Sequence, residues 1–253
     1  MADPFPRRAA AAQLLEVVSP RGKSAAIFVR PDTNDAATLH STFWPPGAPL
    51  TDEYGLADIY VDGWALDVGA HIGSVTLALA IDNPTARIVA IEAVPENAAL
   101  LQRSVEYLKL EERVFVVSAS AGRKHGSTTQ FHYGYYDVPG VSAQHAEQVR
   151  FIGNLFRTHG PRGKTVTIPV LSLAGILDRF GIDEFAFAKS DAEGAEWEFF
   201  SDPQANAHIA AMIGEFHDRP APAIHKLLAA THDVTVYRYV PDEVIGMFRA
   251  VRR

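Results

Sequence analysis

An α/β fold with a doubly wound, mostly parallel sheet is what this sequence predicts, and three features predict it. From Trp64 onward, short near-continuous apolar segments alternate with longer helical ones. Strands that are apolar throughout belong to sheets covered on both faces, as parallel sheets are. Nine strand segments fall between Trp64 and Arg253, and the expected main sheet has seven strands. The first, in WALDVGAHIGSV (64–75), ends in an aspartate followed by two glycines four apart. There a strand hands over to a helix and the backbone must come close to something.

The elements follow in order. Residues 9–18 read as a short helix, Lys23–Arg30 (KSAAIFVR) as a strand, and 32–44 (DTNDAATLHSTFW) as a helix capped by Asp32 or Thr33. PPGAPLTDEYG is a turn-rich loop. The core then runs ALDV (strand), GSVTLALAI (helix), ARIVAIE (strand), PENAALLQRSVEYLKL (helix) and RVFVVSA (strand). STTQFHY and TVTIPV are strands flanking an interruption at 134–163, long enough to be a lid. SLAGILDRF is a helix capped by Ser172 and stopped at Gly181. EFAFAKS is a strand, EGAEWEFF starts a helix, and IAAMIGEF is a strand. A helix near 222–230 and two strands, DVTVYRYV and GMFRAVR, close the chain. The expected organisation is an N-terminal α/β extension (1–60) ahead of one domain (61–253) that carries the lid-like insertion.

Composition narrows the function classes. With 47% hydrophobic and 21% charged residues the chain can bury a sizeable core. A net charge of -7 with no basic run argues against nucleic acid as partner and for a small-molecule acceptor. The absence of cysteine excludes disulfides, thiolate metal clusters and a thiol nucleophile. No apolar run approaches the ~20 residues of a membrane span, and Gln13 and Glu16 interrupt the apolar patch of the N-terminus. The expectation is a cytoplasmic protein with no membrane partner; whether it forms a homo-oligomer is left open.

In an open α/β sheet, ligands sit beyond the carboxyl ends of the strands where strand order reverses. A dinucleotide site would read G-x-G-x-x-G, so that a diphosphate rests on helix amides. Here the spacing is D-x-G-x-x-x-G, Asp67, Gly69 and Gly73. A carboxylate is a poor neighbour for a diphosphate and a good one for a cation. S-adenosylmethionine offers an ammonium and a sulfonium and has no phosphate. Glu92, 23 residues beyond Gly69, ends the second strand, where an acid can accept from both ribose hydroxyls. Ser118, Ala119 and Ser120 end the third, where an adenine edge could be read. Ala70, His71 and Ala93 complete the candidate cofactor set as neighbours in these turns, with Asp191 from the fourth strand. Each group also has a plain structural use: the glycines for tight strand–helix packing, Glu92 for the next helix N-terminus.

Four segments, LDVGAHIGSVTLALA, VAIEAVPENAALLQRSV, VTIPVLSLAGIL and FAFAKSDAEGAEWEFF, resemble the successive signatures of the FkbM-type methyltransferases. The resemblance runs from about Asp32 to His217, and the last motif is the specific one. It implies a Rossmann-like class I methyltransferase fold and S-adenosylmethionine-dependent O-methylation, often of a sugar or natural product. It also implies that Asp67, Gly69 and Gly73 hold the methionine end and Glu92 the ribose. His71 stands where the family often has Asn, Ser190 where it more often has an aliphatic residue, and Ala192 where Val is common.

A hydroxyl acceptor needs a base, or a metal that lowers its pKa. The fourth strand ends in Lys189, Asp191 and Glu193, and the fifth in Glu215, His217 and Asp218. In a parallel sheet these ends lie together. Asp191, Glu215, His217 and Lys189 are therefore the candidate catalytic groups, with residues 185, 187, 189 and 191 expected on one face. The alternative for Asp191 is a helix cap, and for Glu193 and Glu196 first-turn acids. If a metal is present, Asp191, Glu215 and His217 are its ligands; a metal-free base ranks ahead of Mg2+, which has no preference for imidazole. In the insertion, Tyr133, Tyr135, Tyr136, His145 and His159 are candidate acceptor contacts. The alternatives to O-methylation are N- or carboxyl-methylation, ribose 2′-O-methylation and a non-catalytic cofactor-binding regulatory module. A dehydrogenase is weakest, because the glycine spacing does not suit a diphosphate.

Overall fold

The computed structural model describes residues 12–31, 33–47, 52–133, 164–240 and 244–253. It opens on an antiparallel hairpin, β1 (Gln13–Val18) and β2 (Ser24–Val29), paired from Gln13↔Val29 to Val18↔Ser24. The helix expected at 9–18 is thus a strand over its described part. Two valines at its end favour extended backbone, and pairing with β2 buries Val17 to 1% exposure. Helix α1 is shorter than expected, Asp35–His40, and its N-cap position is Asn34. Thr33 Oγ1 accepts from the Asp35 N–H at 3.2 Å; Asp32 lies outside the described residues.

The core elements follow as β3 (Trp64–Val68), α2 (Ser74–Asp82), β4 (Arg87–Glu92), α3 (Pro95–Tyr107) and β5 (Val114–Ser118). Strands β6 (Ser120–Ala121), β7 (Thr128–Tyr133) and β8 (Lys164–Leu171) make a small sheet in the order β6-β8-β7. Next come α4 (Leu173–Phe180), β9 (Phe185–Ser190), α5 (Glu196–Phe199), α6 (Pro203–Asn206) and β10 (Ala211–Phe216). Helix α7 (Ala221–Leu228), β11 (His232–Val240) and β12 (Ile245–Arg252) finish the chain. Helix α4 obeys its signals: Ser172 Oγ accepts from the Gly175 N–H, and Gly181 takes the left-handed conformation at φ 60.

The main sheet has seven strands in the order β11-β12-β10-β9-β3-β4-β5. Its centre is parallel from β5 to β10, and β12 runs antiparallel to both of its neighbours. The chain winds outward from β3 through β4 to β5, then returns to place β9 on the other side of β3. That reversal makes the carboxyl ends of β3 and β9 the switch point, where α/β sheets bind ligands.

One face of the sheet is covered by α2, α3 and the N-terminal elements, which share a single apolar core: Phe28, Leu39, Phe43 and Leu56 pack with Ala65, Leu77, Leu101 and Phe187. The other face is covered by α4, α5 and α7 through Ile176, Phe199, Ile224 and Leu228. The expected common face of 185, 187, 189 and 191 fails at its first member. Trp64 pairs with Phe185 but Ala65 pairs with Phe187, so β9 carries one extra residue there, and Phe185 turns into the opposite core. No helix among the described residues is long and apolar enough to cross a membrane.

Candidate active site

Parallel pairing brings three strand ends together. Asp67 lies beside Lys189 in the β3–β9 register, and Ile213 beside Lys189 in β9–β10, so the chain beyond Ser190 and Gly214 emerges side by side. Glycine is required where these ends touch. A Cβ on Gly69 would meet the Asp191 carbonyl oxygen at 1.9 Å, and one on Gly214 the Ser190 carbonyl at 2.0 Å. A Cβ on Gly73 would strike Leu101 at 2.2 Å, so that residue seats α3 against α2. The glycines of the first turn are thus explained by packing inside the protein.

Lys189 is 4% exposed and Asp67 fully buried. The ammonium lies 3.4 Å from Asp67 Oδ1 and donates to the Gly69 carbonyl at 2.9 Å. Burial would depress its pKa, but the Asp67 and Asp191 charges outweigh burial and hold it above the ordinary lysine value. Asp67 Oδ2 accepts from the Thr76 hydroxyl at 2.6 Å. The carboxylate that the resemblance gives to the methionine end is thus paired with Lys189 and Thr76 within the protein.

His217 is the most tightly held group. Its backbone N–H donates to Glu196 Oε1 at 2.7 Å, its ring Nδ1 lies 3.2 Å from the same oxygen, and its carbonyl accepts from Trp197 Nε1 at 2.7 Å. The ring is thereby aimed so that Nε2 stands 3.4 Å from Glu215, 3.8 Å from Asp191 and 3.8 Å from Glu193. Burial alone would lower the imidazole pKa, but hydrogen bonds to Glu196 and Glu215 and the charges of Asp191 and Glu193 push it up to about 11. The carboxylates around the ring thus favour its protonated form. Asp191 is the accessible one, with its side chain 21% exposed against 5% for Glu215. It caps no helix; the N-cap position of α5 is Ala195. Asp191 Oδ2 instead accepts from the Tyr54 hydroxyl at 3.1 Å. Five carboxylates (Asp67, Asp191, Glu193, Glu196 and Glu215) here meet two cations, Lys189 and protonated His217.

At the neighbouring strand end, Glu92 accepts from the His71 N–H at 2.7 Å through one oxygen and from the Val94 N–H at 2.8 Å through the other. Burial raises its pKa, with the backbone donors of Val94 and His71 pulling the other way. Oε2 keeps a lone pair for a ribose hydroxyl, while Oε1 also faces Asn97 Nδ2 at 3.4 Å, and with Asp191 at the same edge the group repels a diphosphate. Ser118 pairs with Glu92 across β4–β5 and is exposed; Ala119 is buried and donates its N–H to the Glu92 carbonyl at 3.0 Å. Ser120 and Ala93 are partly exposed beside them, and Ala70 is buried. Burial holds the His71 imidazole down at about 4, and its Nδ1 is buried without a hydrogen-bond partner. The residues present thus fit the nucleoside half of S-adenosylmethionine, and the excess negative charge at Asp191 fits its cationic half.

Sequence reasoning missed three contributors. Glu196 looked like a helix-dipole acid, yet it is fully buried and aims His217. Tyr54 lay in a turn-rich loop with no periodicity to mark it. Arg30, bonded to Asp35, reaches Asn97 Oδ1 at 2.6 Å, and Asn97 in turn reaches Glu92 at 3.4 Å. A buried charged residue in an otherwise apolar helix start was the one readable signal, at Glu196 beside Trp197. Tyr135, Tyr136, His145 and His159 lie outside the described residues, and Tyr133 ends β7. Two open grooves, of about 270 and 340 Å3, lie elsewhere, against β5 and α4 and between Tyr60 and Arg249.

Among curated protein sequences none matches. Solved structures with similar coordinates include the METTL16 MTase domain (13% identity, TM-score 0.44, 76% of this chain and 60% of that one). They also include a human methyltransferase 10 domain containing protein (13%, TM-score 0.39, 76% and 72%) and an O-methyltransferase from Bacillus cereus in complex with SAH (16%, TM-score 0.41, 75% and 74%). The chain spans about 60% of the length of the METTL16 domain. The family model described as the methyltransferase FkbM domain matches residues 67–239, about two thirds of the chain and every strand end just described. The chain belongs to the FkbM methyltransferase family.

Proposed function

We propose that this methyltransferase moves the methyl group of S-adenosylmethionine to a hydroxyl oxygen of a small acceptor, of the sugar or polyketide-like natural-product class. The observation that carries this reading is the carboxylate-rich cluster of Asp191, Glu215 and His217 at the switch point, with the end of β3 between it and Glu92. When bound, S-adenosylmethionine supplies an already activated methyl carbon, so the protein's task is alignment, proton removal and exclusion of water. The acceptor oxygen gains the methyl, the carbon–sulfur bond breaks to leave S-adenosylhomocysteine, and the hydroxyl proton passes to Asp191. His217, as an imidazolium, lets Asp191 and Glu215 stay ionised side by side. A nitrogen or carboxylate acceptor would need less help from a base, which is why oxygen is favoured.

The test is incubation with S-adenosylmethionine and a panel of hydroxylated small molecules. S-adenosylhomocysteine should form together with an O-methylated product, and Asp191→Asn should slow it at least about 100-fold, a typical contribution of a general base. Methylation on nitrogen, or an unimpaired Asp191→Asn, would end the reading. Nothing in the acidic composition favours RNA over a small acceptor.

One observation favours a second reading. Ligand atoms of Asp191, Glu215 and His217 all lie within 4.8 Å of one another, compatible with one divalent cation. An imidazole with two carboxylates suits Mn2+ or Zn2+ better than Mg2+. Loss of activity in chelator with recovery in Mn2+ supports the cation; full activity in chelator excludes it.

A further inference from the structure

The segment ahead of the family match contributes a residue to the site. Tyr54 stands 137 positions before Asp191 and outside residues 67–239. Its side chain is nonetheless buried, with the residue 4% exposed, and its hydroxyl donates to Asp191 Oδ2 at 3.1 Å. The Lys189 ammonium lies 5.7 Å from the centroid of its ring. The tyrosine therefore bridges the two groups that follow each other at the end of β9.

The loop that carries it is built to hold it still. Asp52 accepts from the Leu56 and Ala57 N–H groups at 2.8 and 2.7 Å, closing a 3₁₀ turn over Leu56–Asp58. The Glu53 N–H donates to the Ser41 carbonyl at 3.0 Å, and Glu53 pairs with Arg238 at 3.6 Å. Gly55 sits at φ 68, and a Cβ there would meet the Arg249 guanidinium at 2.8 Å, so the turn is pressed onto β12. Leu56 anchors it in the core at 2% exposure. A hydroxyl fixed this way from both sides in sequence is a preorganised donor.

We propose that Tyr54 is a positioning residue for the proton acceptor: it fixes the Asp191 carboxylate by one oxygen, leaving Oδ1 directed at His217 and the acceptor. The proposal rests on the reading of Asp191 given above. The phenol is suited to remain a donor, because burial and the charges of Asp191 and Glu215 raise its pKa well above the ordinary tyrosine value.

The experiment compares the full chain with Tyr54→Phe in steady-state methylation of hydroxylated acceptors, with calorimetry of S-adenosylhomocysteine on the same samples. Tyr54→Phe should lower kcat at least about tenfold, while the KM for S-adenosylmethionine and the affinity for S-adenosylhomocysteine change by less than about threefold. An unchanged kcat in folded Tyr54→Phe overturns the proposal. If that variant does not fold, Asp191→Ala asks the same from the other side: the Tyr54 13Cζ resonance should move on loss of its acceptor, and an unmoved resonance overturns the proposal. A wild-type chain that ignores S-adenosylhomocysteine, with the Tyr54 resonance still moving in Asp191→Ala, would sink the methyl-donor reading and leave the tyrosine's hold on Asp191 standing.

Discussion

Glu196 Oε1 accepts the backbone N–H of His217 and faces the Nδ1 of the same residue, at 2.7 and 3.2 Å. A single buried carboxylate oxygen thus sets both the chain path and the ring direction of the imidazole that, among the described residues, groups with Asp191 and Glu215. Glu196→Ala strands a buried N–H and removes a charge that the imidazolium relies on. It should cost about 3–5 kcal/mol in denaturant unfolding, and Glu196→Gln, which keeps an acceptor oxygen, clearly less. Equal losses in the two variants would mean that the oxygen is not the operative contact.

The Lys189–Asp67 pair makes a similar prediction with a compensating arm. Lys189→Met leaves a fully buried carboxylate without its cation, for a loss of about 3–5 kcal/mol. Adding Asp67→Asn to it should recover most of that loss, because the partner charge goes too. A double variant no more stable than Lys189→Met would show that the two groups do not act as a pair.

Cofactor affinity should separate the two strand-end acids. Glu92→Gln is expected to weaken S-adenosylhomocysteine about 10–100-fold, the range for a hydrogen bond to a charged group. Asp67→Asn should lower the melting temperature and leave the dissociation constant within about threefold, since Lys189 and Thr76 occupy that carboxylate. The reverse ranking would give Asp67 to the cofactor, as the resemblance implies.

Acid stability should depend on His71. Its folded pKa of about 4 lies below the unfolded histidine value, so the unfolded chain binds the proton first as pH falls. The neutral ring's contribution is complete above about pH 6.5 and is lost progressively down to about pH 4, up to about 3 kcal/mol. His71→Asn, at a position with φ 51 where Asn is tolerated, should be more stable than wild type at pH 4.5 relative to pH 7.5. Parallel stability–pH curves for the two proteins would remove His71 from the account.

The sheet, its strand order of chemistry-bearing ends and the Ser172 and Gly181 helix boundaries were legible because each rests on local pattern: apolar runs, a capping hydroxyl, a left-handed glycine. Gathering Asp191, Glu215 and His217 needed only the rule that parallel neighbours end on the same edge. What was not legible depends on distant partners. Phe185 left its expected face because of one extra residue in β9, Gln13–Val18 became a strand because Ser24–Val29 pairs with it, and Tyr54 and Glu196 gain their roles from residues 137 and 21 positions away. The first-turn glycines show the same limit: their spacing identified the turn, but the atoms that demand them belong to Asp191 and Leu101.

The central claim is that the edge formed by Glu92 and Asp191 receives a cationic, diphosphate-free nucleoside. Titration calorimetry of the full chain tests it most directly. Saturable one-to-one binding of S-adenosylmethionine and S-adenosylhomocysteine, weakened by Glu92→Gln and absent for NADH, is the predicted result. Binding of NADH with no heat from either methyl-donor compound would contradict it.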